Sequence, residues 1–142
     1  MSKTDGSELA KIWPGQIAFG NRSIDILFEH ASNHTELTKK EIKYFLLLVE
    51  RPRTQSELSE LCATNQANTG RAISSLTEKG LVELGEKIDG RSYSVKLTDK
   101  GKNLSDHILL GLMRKITVDF DDITEEEYRI FIKVLGKMQK SI

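Results

Sequence analysis

The sequence predicts a mainly α protein carrying one small β-hairpin, and three observations predict it. Thr–Glu pairs at capping-box spacing stand in front of apolar stretches with helical period. One short region alternates apolar and polar residues beside an Asp-Gly turn. That region follows four helical stretches and precedes two more.

The first helix is expected from about Gln16 to Ala31, with Ile17, Ile24, Leu27, Phe28 and Ala31 on one side. Trp13, Pro14 and Gly15 are expected to interrupt anything before it. Thr38 with Glu41 reads as a capping box, flanked by Leu37 and Ile42 as a hydrophobic staple. Ile42, Phe45, Leu46 and Val49 form the stripe behind it, and Pro52 marks its end. Thr54 with Glu57 opens a short helix that buries Leu58, Leu61 and Cys62. Thr64 or Asn65 caps the next helix, where Thr69, Ala72, Ile73 and Leu76 face inward and Gly80 ends the run. The hairpin joins Leu81–Leu84 to Tyr93–Leu97 through Asp89 and Gly90, and no other stretch reads as a strand. Thr98 caps a long helix carrying Leu104, Ile108, Leu112 and Ile116. Thr124 with Glu127 opens the last helix, whose main stripe is Tyr128, Phe131, Ile132, Leu135 and Ile142. Ile130 and Val134 widen its apolar arc, which suits a subunit interface.

The second, third and fourth helices with the hairpin make a winged helix-turn-helix, and the remaining helices flank it. The 142 residues fit one domain. Within it, residues 37–97 form the winged lobe, and residues 1–36 with 98–142 are expected to form a dimerisation lobe. Lys and Arg number 21, as do Asp and Glu, so indiscriminate polybasic binding is not expected, although a local basic face is compatible with this balance. Cys62 has no partner for an intramolecular disulfide, and its place in an apolar stripe suits packing better than redox sensing. The start of the chain lacks the apolar core of a signal peptide, and Tyr44–Val49 is too short to span a membrane. A cytoplasmic protein without membrane partners is expected. No Ser-His-Asp constellation, phosphate loop or CxxC pair stands out, so neither an enzyme nor a cofactor is expected.

If the inward stripe of the fourth helix anchors it, Ala67, Arg71, Ser74, Ser75 and Glu78 point outward. Gln66, Asn68 and Gly70 flank that face near the helix start. Gln and Asn suit adenine edges, Arg suits guanine or phosphate, and Ala suits a thymine methyl. Thr54, Gln55 and Ser56, at a helix start, suit phosphate contacts, and Asn65, at the start of the next, is counted among the DNA-binding residues.

Glu57–Leu61, Asn65–Arg71, Leu76–Val82, Asp89–Ser92 and Val95–Gly101, in that order, resemble the MarR family of transcription regulators. The resemblance covers roughly Leu37 to Ile142 and includes Glu125 and Glu126 of the last helix. It departs from the family pattern at Thr69, usually aliphatic, and at Leu84 and Gly90, where Arg is common. It implies a homodimer on pseudo-palindromic double-stranded DNA, acting as a repressor relieved by a small molecule. In that reading Arg91 reaches a minor groove or phosphate, Asp89 holds its guanidinium and Lys87 adds a phosphate contact. Trp13, Phe19, Phe28 and Phe45 would line an effector pocket or, equally, belong to the plain core. A winged helix serving protein interaction without a DNA target is the alternative. No metal is expected, but His30, His34 and His107 are the residues that a metal-sensing variant would use.

Overall fold

The computed structural model describes residues 6–88 and 90–139; the side chains of Trp13 and Phe19 lie outside the described part. Its elements run α1 (Gly6–Asn33), α2 (Lys39–Glu50), β1 (Arg53–Thr54), α3 (Gln55–Leu61), α4 (Gln66–Glu78), β2 (Val82–Lys87), β3 (Tyr93–Leu97), α5 (Asp99–Asp119) and α6 (Glu125–Gln139). The mainly α winged helix-turn-helix expected from the sequence is therefore present.

The helix starts follow from local chemistry. In the Thr38 box, the Thr hydroxyl accepts from Glu41 N at 3.2 Å and the Glu41 carboxylate accepts from Thr38 N at 3.1 Å. Thr54 with Glu57 and Thr124 with Glu127 form the same reciprocal pair. Asn65, rather than Thr64, caps α4, its side chain accepting from Asn68 N at 2.8 Å. Gly80 follows α4 at φ +73°, a left-handed conformation that stops the helix without Cβ strain.

Two expectations about the elements themselves are corrected. Trp13, Pro14 and Gly15 do not interrupt the first helix, because α1 is continuous from Gly6 to Asn33 with Pro14 inside it. Pro14 is exposed in a 28-residue helix whose described buried residues, Leu27 and Ala31, come several turns later, so one missing i→i−4 bond is tolerated there. The hairpin is also joined by a third strand. Arg53 and Thr54 pair with Val95 and Ser94, giving an antiparallel sheet ordered β1-β3-β2. Arg53 is buried there because its Nε donates to the Leu47 carbonyl and its guanidinium meets Glu50 at 2.6 Å.

The core lies between the winged lobe and the inner sides of α1 and α5. Leu37, Ile42, Phe45, Leu58, Leu76 and Thr69 are fully enclosed, with Val82, Val95 and Leu97 from the sheet, Ala31 from α1 and Ile108 from α5 around them. Outside it, the stripes of α1 and α6 stand open in the single chain. Ile17 and Ile24 on α1, and Ile130, Phe131, Ile132 and Val134 on α6, are all exposed. Leu61, expected inside, is exposed as well, at the end of the two-turn α3.

Candidate nucleic-acid interface

The reading helix is fixed from behind by polar contacts as well as apolar ones. Thr69 is completely buried, and its hydroxyl lies 3.2 Å from the Tyr44 hydroxyl. Ser59, which donates to the Gln55 carbonyl at 3.0 Å, also lies 2.9 Å from Thr69 Oγ1. This node joins α2, α3 and α4, and it accounts for a Thr at a position where an aliphatic residue would suffice for packing.

A second tether sits two turns further along. Glu41, buried on α2, accepts from the Ser75 hydroxyl at 2.9 Å and from Lys79 Nζ at 2.9 and 3.0 Å. Lys79 also donates to the Glu36 carbonyl, so the end of α4 is tied to the turn between α1 and α2. Burial pushes the Glu41 carboxyl upward, but the bonds from Lys79, Thr38 N, Ser75 and the Thr38 hydroxyl outweigh it and hold the group below its ordinary value. Ser75, expected to point outward, thus turns sideways onto Glu41 instead.

With that rear face held, Ala67, Arg71 and Ser74 are exposed on the opposite face, together with Glu78. Asn68 and Asn65 are exposed near the helix start; Asn68 Nδ2 donates to Thr64 Oγ1 at 3.0 Å and its carbonyl oxygen accepts from Arg71. Gln66 Nε2 donates to Ser56 Oγ at 3.1 Å, while Gln55 Nε2 donates to the Gln66 backbone carbonyl at 3.1 Å. Gln55, Ser56 and Gln66 thus form one exposed polar patch where α3 and α4 begin. A Cβ at Gly70 would stand 3.3 Å from Gln55 Nε2, so the small residue permits this close approach. Thr54 differs from expectation: it is buried, with its hydroxyl and N–H both engaged in the capping box. Glu57 of that box lies below the ordinary carboxylate range. Burial opposes the shift, and Arg51, the Thr54 N–H and Arg53 drive it.

On the wing, Arg91 is exposed and Lys87 Nζ stands 5.1 Å above the Tyr93 ring. Asp89 lies outside the described residues. Gly90 has φ +77°, the positive value that the turn requires. Leu84, Ile88 and Tyr93 are exposed along the wing, where the sequence already showed fewer basic residues.

The other expected sites separate. Phe45 is wholly inside the core and Phe28 packs against it, so Phe45 lines no cleft. A cleft of about 200 Å³ opens instead between the end of α1 and the middle of α5, lined by His30, His34, His107 and Arg114. The His30 and His34 rings lie 4.3 Å apart, and His34 Nδ1 donates to the His30 carbonyl at 2.8 Å. Among the described residues no group of three or more His, Cys, Asp or Glu side chains is placed to hold a metal. Cys62 is half-buried, and burial pushes its thiol up, away from the reactive thiolate, with Lys43 opposing.

A three-helix unit presenting one helix outward beside a β wing defines the winged helix-turn-helix class. No family model matches the chain. Over 83 residues it is 30% identical to the transcriptional regulator AdcR of Streptococcus pneumoniae, a match spanning 58% of this chain and 57% of that protein. A solved MarR protein from Peptoclostridium difficile is 26% identical, with TM-score 0.66 over 99% of this chain and 91% of its own. The structure of NadR in complex with 4-hydroxyphenylacetate superposes with TM-score 0.76 at 16% identity, covering 97% of this chain and 95% of that one. The fold is that of the MarR-family transcriptional regulators, which are not enzymes. No described helix is long and apolar enough to cross a membrane.

Proposed function

We propose that this chain is a sequence-specific, DNA-binding transcription regulator of the MarR type, working as a homodimer. One observation carries the proposal. Thr69 and Leu76 of α4 are completely buried, while Ala67, Arg71 and Ser74 on its other side are exposed and chemically suited to base edges. Residues 37–97 are the DNA-binding lobe, and residues 1–36 with 98–142 are the dimerisation lobe. The exposed apolar residues of α1 and α6 support that division, since a symmetric partner would cover them. Repression by competition with polymerase, in the cytoplasm, is the role proposed. A small organic effector seated between the lobes relieves it by preferring one spacing of the two reading helices; the ligand in the NadR structure supports this class of effector.

Selection of bound sequences from a random duplex pool tests the proposal. A two-fold symmetric consensus, with affinity falling steeply as salt rises, is the expected result. Exposed Leu84, Ile88 and Tyr93 on the wing favour a second reading, a protein-interaction module. Failure to enrich any duplex would replace the first reading with that one.

A further inference from the structure

We propose that the open groove between the start of α2 and the flank of α4 seats the sugar-phosphate backbone of the second DNA strand, with Lys40 and Lys43 neutralising its phosphates. The inference rests on the DNA-binding reading above and adds the start of α2 to the elements that touch DNA.

The geometry starts from the helix itself. An α-helix is roughly 10–12 Å across and the major groove of B-DNA roughly 12 Å wide. A helix lying in that groove therefore has a phosphate strand on each flank. At about 100° per residue, Gln66 and Gly70 of α4 share one flank, whereas Asn68, Arg71 and Ser75 share the other. The first flank is where Gln55 and Ser56 of α3 stand, bonded to Gln66. The second borders a groove of about 530 Å³, whose other wall is the first half of α2.

The lining of that groove is cationic. Lys40, Lys43 and Arg71 face it, and Glu41 is its one carboxylate. Glu41 is already bonded to Lys79 and Ser75, so it offers little negative charge to an incoming phosphate. Neither Lys40 nor Lys43 is drawn into an ion pair among the described residues; Lys43 stands 6.0 Å over the Phe28 ring. Thr64 Oγ1 accepts from Asn68, which leaves its own proton for a phosphate oxygen. In a chain whose formal charge sums to zero, such a concentration beside the reading helix is a local basic face.

Binding to a duplex across a salt series, with wild type, Lys40→Gln/Lys43→Gln and Lys40→Arg/Lys43→Arg, tests the assignment. Each neutralised phosphate contributes about 0.9 to the slope of log affinity on log salt. The Gln double variant is therefore expected to flatten the slope by about 1.8 per protomer. Between 50 and 200 mM salt it then loses about 12-fold less affinity per protomer than wild type does. The loss at low salt is expected to be alike for every sequence, leaving the ranking of sequences intact. The Arg double variant is expected to keep the wild-type slope. Lys102→Gln, exposed on α5 and outside the groove, reports the effect of net charge alone. An unchanged slope in the Gln double variant, or half its flattening from the single charge removed in Lys102→Gln, overturns the assignment while leaving the DNA-binding reading standing. Wild type failing to bind any duplex removes both.

Discussion

The buried node at Thr69 gives the sharpest test of how the reading helix is held. Thr69→Val keeps the volume and removes only the hydroxyl, so no cavity opens and the penalty is polar alone. Ser59 retains the Gln55 carbonyl at 3.0 Å, but the Tyr44 hydroxyl loses its partner at 3.2 Å. Tyr44 is only 6% exposed, and its hydroxyl contact with Thr69 is buried. One stranded buried hydroxyl costs about 1–3 kcal/mol. Urea unfolding reads this directly. With a slope of roughly 2 kcal/mol per molar for a chain of this size, the midpoint should fall by about 1 M. Adding Tyr44→Phe removes the stranded group, and apolar replacement of both partners is nearly neutral. The double variant should therefore recover at least about 1 kcal/mol relative to additivity. All variants are compared at one protein concentration, because an association equilibrium shifts apparent stability. A wild-type midpoint in Thr69→Val, or strict additivity in the double variant, would refute the node as a tether.

Two further outcomes follow from the same region. The folded carboxyl of Glu41 lies below its ordinary value of 4.5, so its stabilisation is fully present above about that pH and is lost as pH falls through the depressed folded value. Glu41→Gln should cost about 1–3 kcal/mol at pH 7, less than a fully buried pair would because Lys79 still reaches water. The wild-type advantage should shrink below pH 4.5; an advantage constant from pH 7 to pH 3 in denaturant titrations would contradict this. At Gly101 a Cβ would overlap the Leu81 carbonyl oxygen where α5 begins. Gly101→Ala is therefore expected to lower stability by about 1–3 kcal/mol, and an unmoved urea midpoint would show that this crossing yields freely.

What the sequence revealed was chemistry local to a few residues. Three capping boxes, the Asn65 cap and the stop at Gly80 are written within four or five positions each, and all appear in the structure. The β1 strand was not legible: two residues, one of them an Arg, carry no alternation, and the burial of Arg53 depends on the Leu47 carbonyl and Glu50. Pro14 misled for the opposite reason, since a strong local breaker was tolerated at an exposed position of a long helix. The outward face of α4 was predicted from period alone, and Ala67, Arg71 and Ser74 lie on it. Ser75 stands about 40° round from Arg71 on the flank toward α2, where Glu41, 34 positions away, bonds it. Thr69 stood out only as a departure from a pattern, because Tyr44 and Ser59 become its neighbours only in the fold.

The two tethers bear on recognition through the roll of α4 about its own axis. Apolar packing around Leu76 and Ile73 is non-directional and tolerates small rotations, whereas hydrogen bonds weaken steeply with distance and angle. At the helix surface, 5–6 Å from the axis, a roll of about 20° displaces a side chain by about 2 Å. That is several times what a hydrogen bond to a base edge allows. The tethers at Thr69 and at Ser75 with Lys79 lie about 9–15 Å apart along the axis, so together they restrain roll and tilt where apolar contact alone would not. A polar residue in the rear stripe therefore gives Arg71 a fixed direction. The same reasoning explains why the buried carboxylate of Glu41 is bonded on both oxygens: a half-satisfied tether would strand a buried charge and leave the helix free to turn.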